Sequence, residues 1–220
     1  MINKKISIFV QIRMWKLKMV NCCEVKPKPL CKCCDDQMKS LLRQISSSNT
    51  DTSRTLVYLV LNDGTMTTVY IWKNAVVNKS ILIVYEAEYL TEGEKEIAIP
   101  IPISKIAVVL LSEIASIRIK TCTTVDTCDT LCEKQMKEYL EYLNDDFKLN
   151  ISINSETEII FEEGNIIKLV SGMWELRDKV LKVVYEDKVY ELGDLVVYIS
   201  TCKIDSISIG DLPEFCGRVI

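Results

Sequence analysis

The stretch CKCCDDQMKSLLRQI, Cys31 to Ile45, recurs in weaker form as CDTLCEKQMKEYLEYL, Cys128 to Leu143. That recurrence restricts the chain to folds that use one plan twice. In the first copy Met38, Leu41, Leu42 and Ile45 fall at i, i+3, i+4 and i+7, the spacing that lines one face of a helix. Met136, Tyr139, Leu140 and Leu143 repeat the spacing 98 residues later. A helix of roughly three turns is marginal alone, so each must lean on the segments C-terminal to it.

Those segments read as strands. After the polar linker Ser46 to Ser53, Thr55 to Leu61 turns at Asn62-Asp63-Gly64 and Thr65 to Trp72 returns. Ile81 to Leu90 and Lys95 to Ile101 pair around Thr91-Glu92-Gly93-Glu94, and Ile103 to Leu111 closes the unit. In the second half Ile151 to Phe161 turns at Glu162-Glu163-Gly164-Asn165 and Ile166 to Val170 returns. Val180 to Tyr185 turns at Glu186-Asp187, Val189 to Leu192 returns, and Val196 to Ile209 ends the unit. Gly64 matches Gly164, Val84-Tyr85-Glu86 matches Val184-Tyr185-Glu186, and Lys105-Ile106 matches Lys203-Ile204. The expected fold is mainly β (α+β): two tandem repeats, each a short N-terminal helix followed by a five-stranded small barrel. Strand closure would hide the edges that an open sheet exposes. The expected boundaries are a basic lead at 1–21, repeat 1 at 22–118 and repeat 2 at 119–220.

The lead contains a short apolar run, Ile6 to Val10, broken by Gln11 and Arg13 and followed by no small-residue cleavage site. Met19 offers an internal start. Residues 1–30 carry a net +6 and the remainder −10, within an overall −4. An acidic body repels phosphate, which argues against nucleic acid as the main partner. No stretch approaches the roughly 20 apolar residues of a helical membrane span, so no membrane partner is expected.

The chain has no histidine, which removes the commonest general base and metal ligand. It has no Gly-rich phosphate loop and no nucleophile elbow. Its carboxylates sit in turns and at helix starts. Asp35 and Asp36 suit the positive end of a helix, and Thr130 with Glu133 fits a capping box. No enzymatic activity and no cofactor are expected.

Ten cysteines remain. Cys22, Cys23, Cys31, Cys33 and Cys34 precede the first helix, Cys122, Cys128 and Cys132 precede the second, and Cys202 and Cys216 stand near the end. Cys202, inside the last strands, reads as a small apolar core residue. For the others, zinc binding and disulfide cross-linking compete. The zinc reading lacks the usual paired Cys-x2-4-Cys spacing, so no metal ligands are assigned. Vicinal cysteines project apart on an extended chain, so one can bond within the molecule and its neighbour between molecules. Helix N-termini lower thiol pKa, which would speed exchange at Cys34 and Cys132. The expected cross-link residues are therefore Cys22, Cys23, Cys31, Cys33, Cys34, Cys122, Cys128, Cys132 and Cys216.

The helix, the strand-turn-strand at Asp63-Gly64, and the closing segments Ile101-Pro102-Ile103-Ser104-Lys105-Ile106 and Ile199-Ser200-Thr201-Cys202-Lys203-Ile204 resemble the Sm-like barrel family. The resemblance runs from Asp35 to Ile114 and from Glu133 to Ile209. It implies RNA binding only where the family's Asn and its basic-residue-Gly pair are present. Asn78-Lys79 could stand for the first; no Arg-Gly or Lys-Gly pair follows either closing segment. The cysteine-rich start leading to a barrel that ends IPISKI also resembles short cysteine-rich proteins of endospore-forming bacteria, of the kind found in spore coat and exosporium. That resemblance implies a structural, self-assembling protein of a spore surface layer, made in the mother-cell cytoplasm without a signal peptide. It would partner itself and other spore-layer proteins. The contrasting expectation is a cytosolic zinc-binding or nucleic-acid-binding adaptor.

Overall fold

The computed structural model describes residues 32–77, 80–86, 98–116, 137–138, 140–141, 147–170 and 172–209. The basic lead, the expected boundary at 118/119, Asn78-Lys79 and the turn at residues 91–94 lie outside them.

The first helix, α1 (Lys32–Ser48), carries Asp35 in its first turn, where a carboxylate faces the positive end of the helix dipole. Met38, Leu41, Leu42 and Ile45 are all buried. The helix runs into the expected linker, and its end is built into the fold. Ser46 donates its hydroxyl to the Trp72 carbonyl at 2.9 Å and accepts the Ala75 N–H at 2.8 Å. Asn49 donates to the Ile71 carbonyl at 2.7 Å and accepts from Thr55. Polar side chains there satisfy backbone groups that would otherwise be buried without partners.

The strands of the first half are β1 (Thr55–Leu61), β2 (Met66–Ile71), β3 (Val76–Val77), β4 (Ile81–Glu86), β5 (Ala98–Pro102) and β6 (Ile106–Ser112). A 3-10 turn, Ile103–Lys105, stands between β5 and β6, and a one-turn helix, α2 (Glu113–Ser116), follows β6. The second half contributes β7 (Phe147–Asn154), β8 (Thr157–Val170), β9 (Met173–Tyr185), β10 (Lys188–Ser200) and β11 (Ser206–Ile209), with a 3-10 turn at Thr201–Lys203 before the last. Leu140, in the helical stretch ahead of β7, is buried against this half.

Both halves trace the same path. In the first the order is β6-β1-β2-β4, with β5 on the far side of β4; in the second it is β11-β7-β8-β9-β10. The two 3-10 turns are flanked by nearly the same backbone: Pro102 at φ −61°, ψ 126° against Ser200 at −70°, 114°, and Ile106 at −81°, 119° against Ile204 at −81°, 122°. The halves do not close separately. β6 pairs with β10, Val196 opposite Leu111 and Tyr198 opposite Val109, and the result is one 11-stranded antiparallel sheet. The edge of β6 that closure was expected to hide is covered by the other half.

Two cores lie on opposite faces of this seam. Val109, Leu111, Val196 and Tyr198 point into the core built on α1, β1, β2 and β4. Their neighbours Val108, Leu110, Val197 and Ile199 point into the core built on β7, β8 and β9. Side chains alternate faces along a strand, so a strand that serves both cores must be apolar at every position. The run Ile106-Ala107-Val108-Val109-Leu110-Leu111, buried throughout, meets that requirement.

The structure corrects the expected turn at Glu162-Glu163-Gly164-Asn165. β8 passes straight through it, and the reversal lies at Ser155-Glu156, where Asn154 accepts the Glu156 N–H at 2.8 Å. Residues 162–164 form an irregularity in which Phe147 faces Gly164 while Leu149 faces Phe161. Asp178, fully buried, holds it by accepting the N–H groups of Glu162 at 2.6 Å, Glu163 at 3.1 Å and Val180 at 2.7 Å. Gly164 is there for contact, because a Cβ at that position would run into the Phe147 ring. Gly64, by contrast, occupies a turn at φ +89°. The match between the two glycines in sequence is therefore not a match in structure. Gly164→Ala should destabilise the chain by about 1–3 kcal/mol, the usual cost of overpacking, read from urea unfolding midpoints at unchanged slope.

Candidate functional site: the stapled seam between the halves

Cys34, in the first turn of α1, is buried, and its sulfur is bonded to that of Cys202 in the 3-10 turn after β10. The Cα atoms are 6.2 Å apart and the residues 168 positions apart in sequence. The Thr201 hydroxyl lies 3.6 Å from the Cys34 sulfur. Burial follows because Cys34 lies one turn ahead of Met38 on the helix face that meets the core. The expectation of a core residue at Cys202 is corrected: it is half-buried in the 3-10 turn and forms the staple's other end. Its sequence signal was its place in a turn whose counterpart in the first half carries Ser104.

Other contacts cross between the halves. Arg177, on β9, directs its guanidinium to Glu113 of α2 through two bonds of 2.8 and 3.0 Å. It also donates to Asp194 on β10 at 3.0 and 2.8 Å. A planar fork of donors matches two carboxylates in this way where a lysine would not. The arginine holds the Asp194 carboxyl below the usual carboxylate range. Thr157, fully buried, donates to the Gly64 carbonyl at 3.0 Å, tying the β1–β2 turn to the start of β8. Neither Arg177 nor Asp178 was distinguishable in sequence from the many other charged residues, because their roles depend on strands that meet only after folding.

Tyr198 lies on the seam, fully buried, with its hydroxyl donating to Glu175 at 3.2 Å. Burial, and then the Glu175 charge, pushes the phenol above the ordinary tyrosine range. On the surface, Lys182 first and Lys148 next hold the Glu162 carboxyl below its ordinary range. These pairs are solvent-facing, and such groups are worth little individually.

Among the described residues no group of three or more Cys, Asp or Glu side chains is placed to hold a metal ion. No helix among them is long and apolar enough to cross a membrane. Cys22, Cys23, Cys31, Cys122, Cys128, Cys132 and Cys216 lie outside the described residues, and Cys33 is placed only as part of the α1 backbone. Cys34 and Cys202 are thus the two cysteines whose side chains the structure places, and it brings them together.

The geometry sets two expected outcomes. Cys34→Ser, or reduction, should lower stability by about 2–5 kcal/mol, as loss of a bridge closing a long loop does, measured by urea unfolding with and without reductant. The raised Tyr198 pKa has a defined sign. The folded state keeps the proton that the unfolded chain releases above about pH 10, so this contribution is complete below pH 10 and is lost as pH rises. Between pH 10 and 11.5 the wild type should lose stability more steeply than Tyr198→Phe, by about 1 kcal/mol per pH unit, steepening toward about 1.4 as the unfolded phenol becomes fully ionised.

No protein-family model, no curated protein and no solved structure matches this chain.

Proposed function

We propose that this chain is a structural protein that assembles with copies of itself, built from two Sm-like repeats and belonging to a spore surface layer. The observation that carries the assembly reading is the seam. The last strand of the first half pairs with the penultimate strand of the second, so the two halves meet through unlike surfaces. Such a head-to-tail contact leaves a complementary pair of surfaces at the two ends. Among the described residues β11 pairs only with β7, and β5 only with β4, so both ends keep a strand edge. Exposed edges are templates for further pairing.

The Sm-like reading is supported by the shared strand order of the halves and by the 3-10 turn before each closing strand. The placing in a spore layer rests on the resemblance of the cysteine-rich start and the IPISKI segment alone. With Cys34 and Cys202 engaged inside the chain, cross-links between chains fall to Cys22, Cys23, Cys31, Cys33, Cys122, Cys128, Cys132 and Cys216. A buried staple holds the unit's shape while thiols on the flanking segments join units. No described feature favours the zinc or nucleic-acid adaptor.

The test is denaturing electrophoresis of natively produced protein with and without reductant, with zinc measured on the same sample. The expected result is a ladder that collapses on reduction to the 25.1 kDa band, without zinc. A monomer in both lanes carrying one or two zinc ions would overturn the reading in favour of the adaptor.

A further inference from the structure

We propose that the Cys34–Cys202 bond is a site of thiol–disulfide exchange in the folded protein, opened by a small thiol that attacks the Cys202 sulfur and releases Cys34. The inference goes beyond the assembly reading and does not depend on it.

The two ends of the bond differ in access. Cys34, in the first turn of α1, is 1% exposed. Cys202, in the Thr201–Lys203 turn, is half-buried. An entering thiol must reach the sulfur it attacks, so access selects which of the two is attacked. The Cys34 end is closed to solvent, and the end left open is Cys202.

Charge favours the same end. Thiols attack as anions. Lys203, half-buried, follows Cys202, with the exposed Asp205 two positions further on. Asp35, half-buried, follows Cys34, and the exposed Asp36 comes next. The attacked sulfur thus has a cation as its neighbour in the chain, whereas the protected sulfur is followed by two carboxylates.

The leaving group is also provided for. Negative charge developing on the Cys34 sulfur falls at the positive end of α1, with the Thr201 hydroxyl 3.6 Å away. Burial and Asp35 oppose a lasting charge there, so the thiolate is transient and takes up a proton. In the exchange the entering thiolate forms a bond to the Cys202 sulfur. The Cys34–Cys202 bond breaks with its electron pair passing to Cys34, and the proton that the reagent lost to water is regained there. The products are a mixed disulfide on Cys202 and a buried Cys34 thiol, and no further oxidant or reductant is consumed.

Opening does not require unfolding. The β6–β10 ladder, the Arg177 fork to Glu113 and the Thr157 bond to Gly64 join the halves without the staple. Met38, Leu41, Leu42 and Ile45 keep α1 in its core. The bond is therefore a latch between the start of α1 and the turn after β10, set by the thiol level of the surroundings while other contacts hold the seam.

The experiment uses the full oxidised chain with glutathione as the probe. Staple loss is followed after acid quenching at several glutathione concentrations and at urea concentrations below the unfolding transition. Mass-spectrometric fragmentation places the adduct and separates Cys34 from its neighbour Cys33. The expected result is an opening rate proportional to glutathione and nearly flat in urea, with glutathione on Cys202 and Cys34 left as the thiol. A second measurement compares the ends one at a time, with glutathione disulfide as the probe. Cys202 in Cys34→Ser should be modified at least about tenfold faster than Cys34 in Cys202→Ser. An adduct on Cys34, equal rates in the two variants, a rate that climbs along the full unfolding slope in urea, or a staple that survives every glutathione concentration would overturn the proposal.

Discussion

Both cores depend on the ladder between β6 and β10. Because β6 and the Leu195–Ser200 part of β10 are buried on both faces, each places alternate side chains into the two cores: Val109 and Tyr198 on one side, Val108 and Ile199 on the other. A shift of one residue along this ladder would exchange the two sets and put every side chain in the wrong core. The register of the whole molecule therefore hangs on five paired positions. The other devices between the halves hold that register: the Cys34–Cys202 bond, the Arg177 fork to Glu113 and Asp194, and the Thr157 bond to the Gly64 turn.

These devices differ in kind. The disulfide acts mainly by limiting the unfolded chain, since it joins positions far apart in sequence. The Arg177 pairs act in the folded state, at the surface, where they direct more than they stabilise. Asp178 acts within the second half, where its carboxylate satisfies three backbone N–H groups that the irregularity in β8 would leave without partners. Tyr198 couples the seam to solution conditions, because burial, and then the Glu175 charge, favours the protonated hydroxyl in the folded state.

Much of the fold was legible because it is local. The helix face Met38-Leu41-Leu42-Ile45 follows from a 3.6-residue period and is buried as expected. β1 occupies the expected residues, and the Glu186-Asp187 hairpin turn has both residues at positive φ, as a two-residue loop requires. At one failure of the reading, a glycine was the cause. Gly164 followed two glutamates and so imitated a turn, when its function is to make room for Phe147. That requirement comes from a residue on another strand, and no local pattern records it.

The candidate site divides along the same line. Cysteine clustering near Cys34 was visible as composition; the choice of Cys202 as its partner was not, because the chain between them, a separation of 168 positions, had to fold before the two could meet. By itself the sequence determined the helix and the strand-rich character, both of which rest on periodicity and on turn residues acting over a few positions. Only the tertiary structure decided that the halves share one sheet, that β6 covers its edge with β10, and which cysteine closes the staple. Strand pairing and disulfide choice are long-range events, fixed by which apolar faces can be buried together.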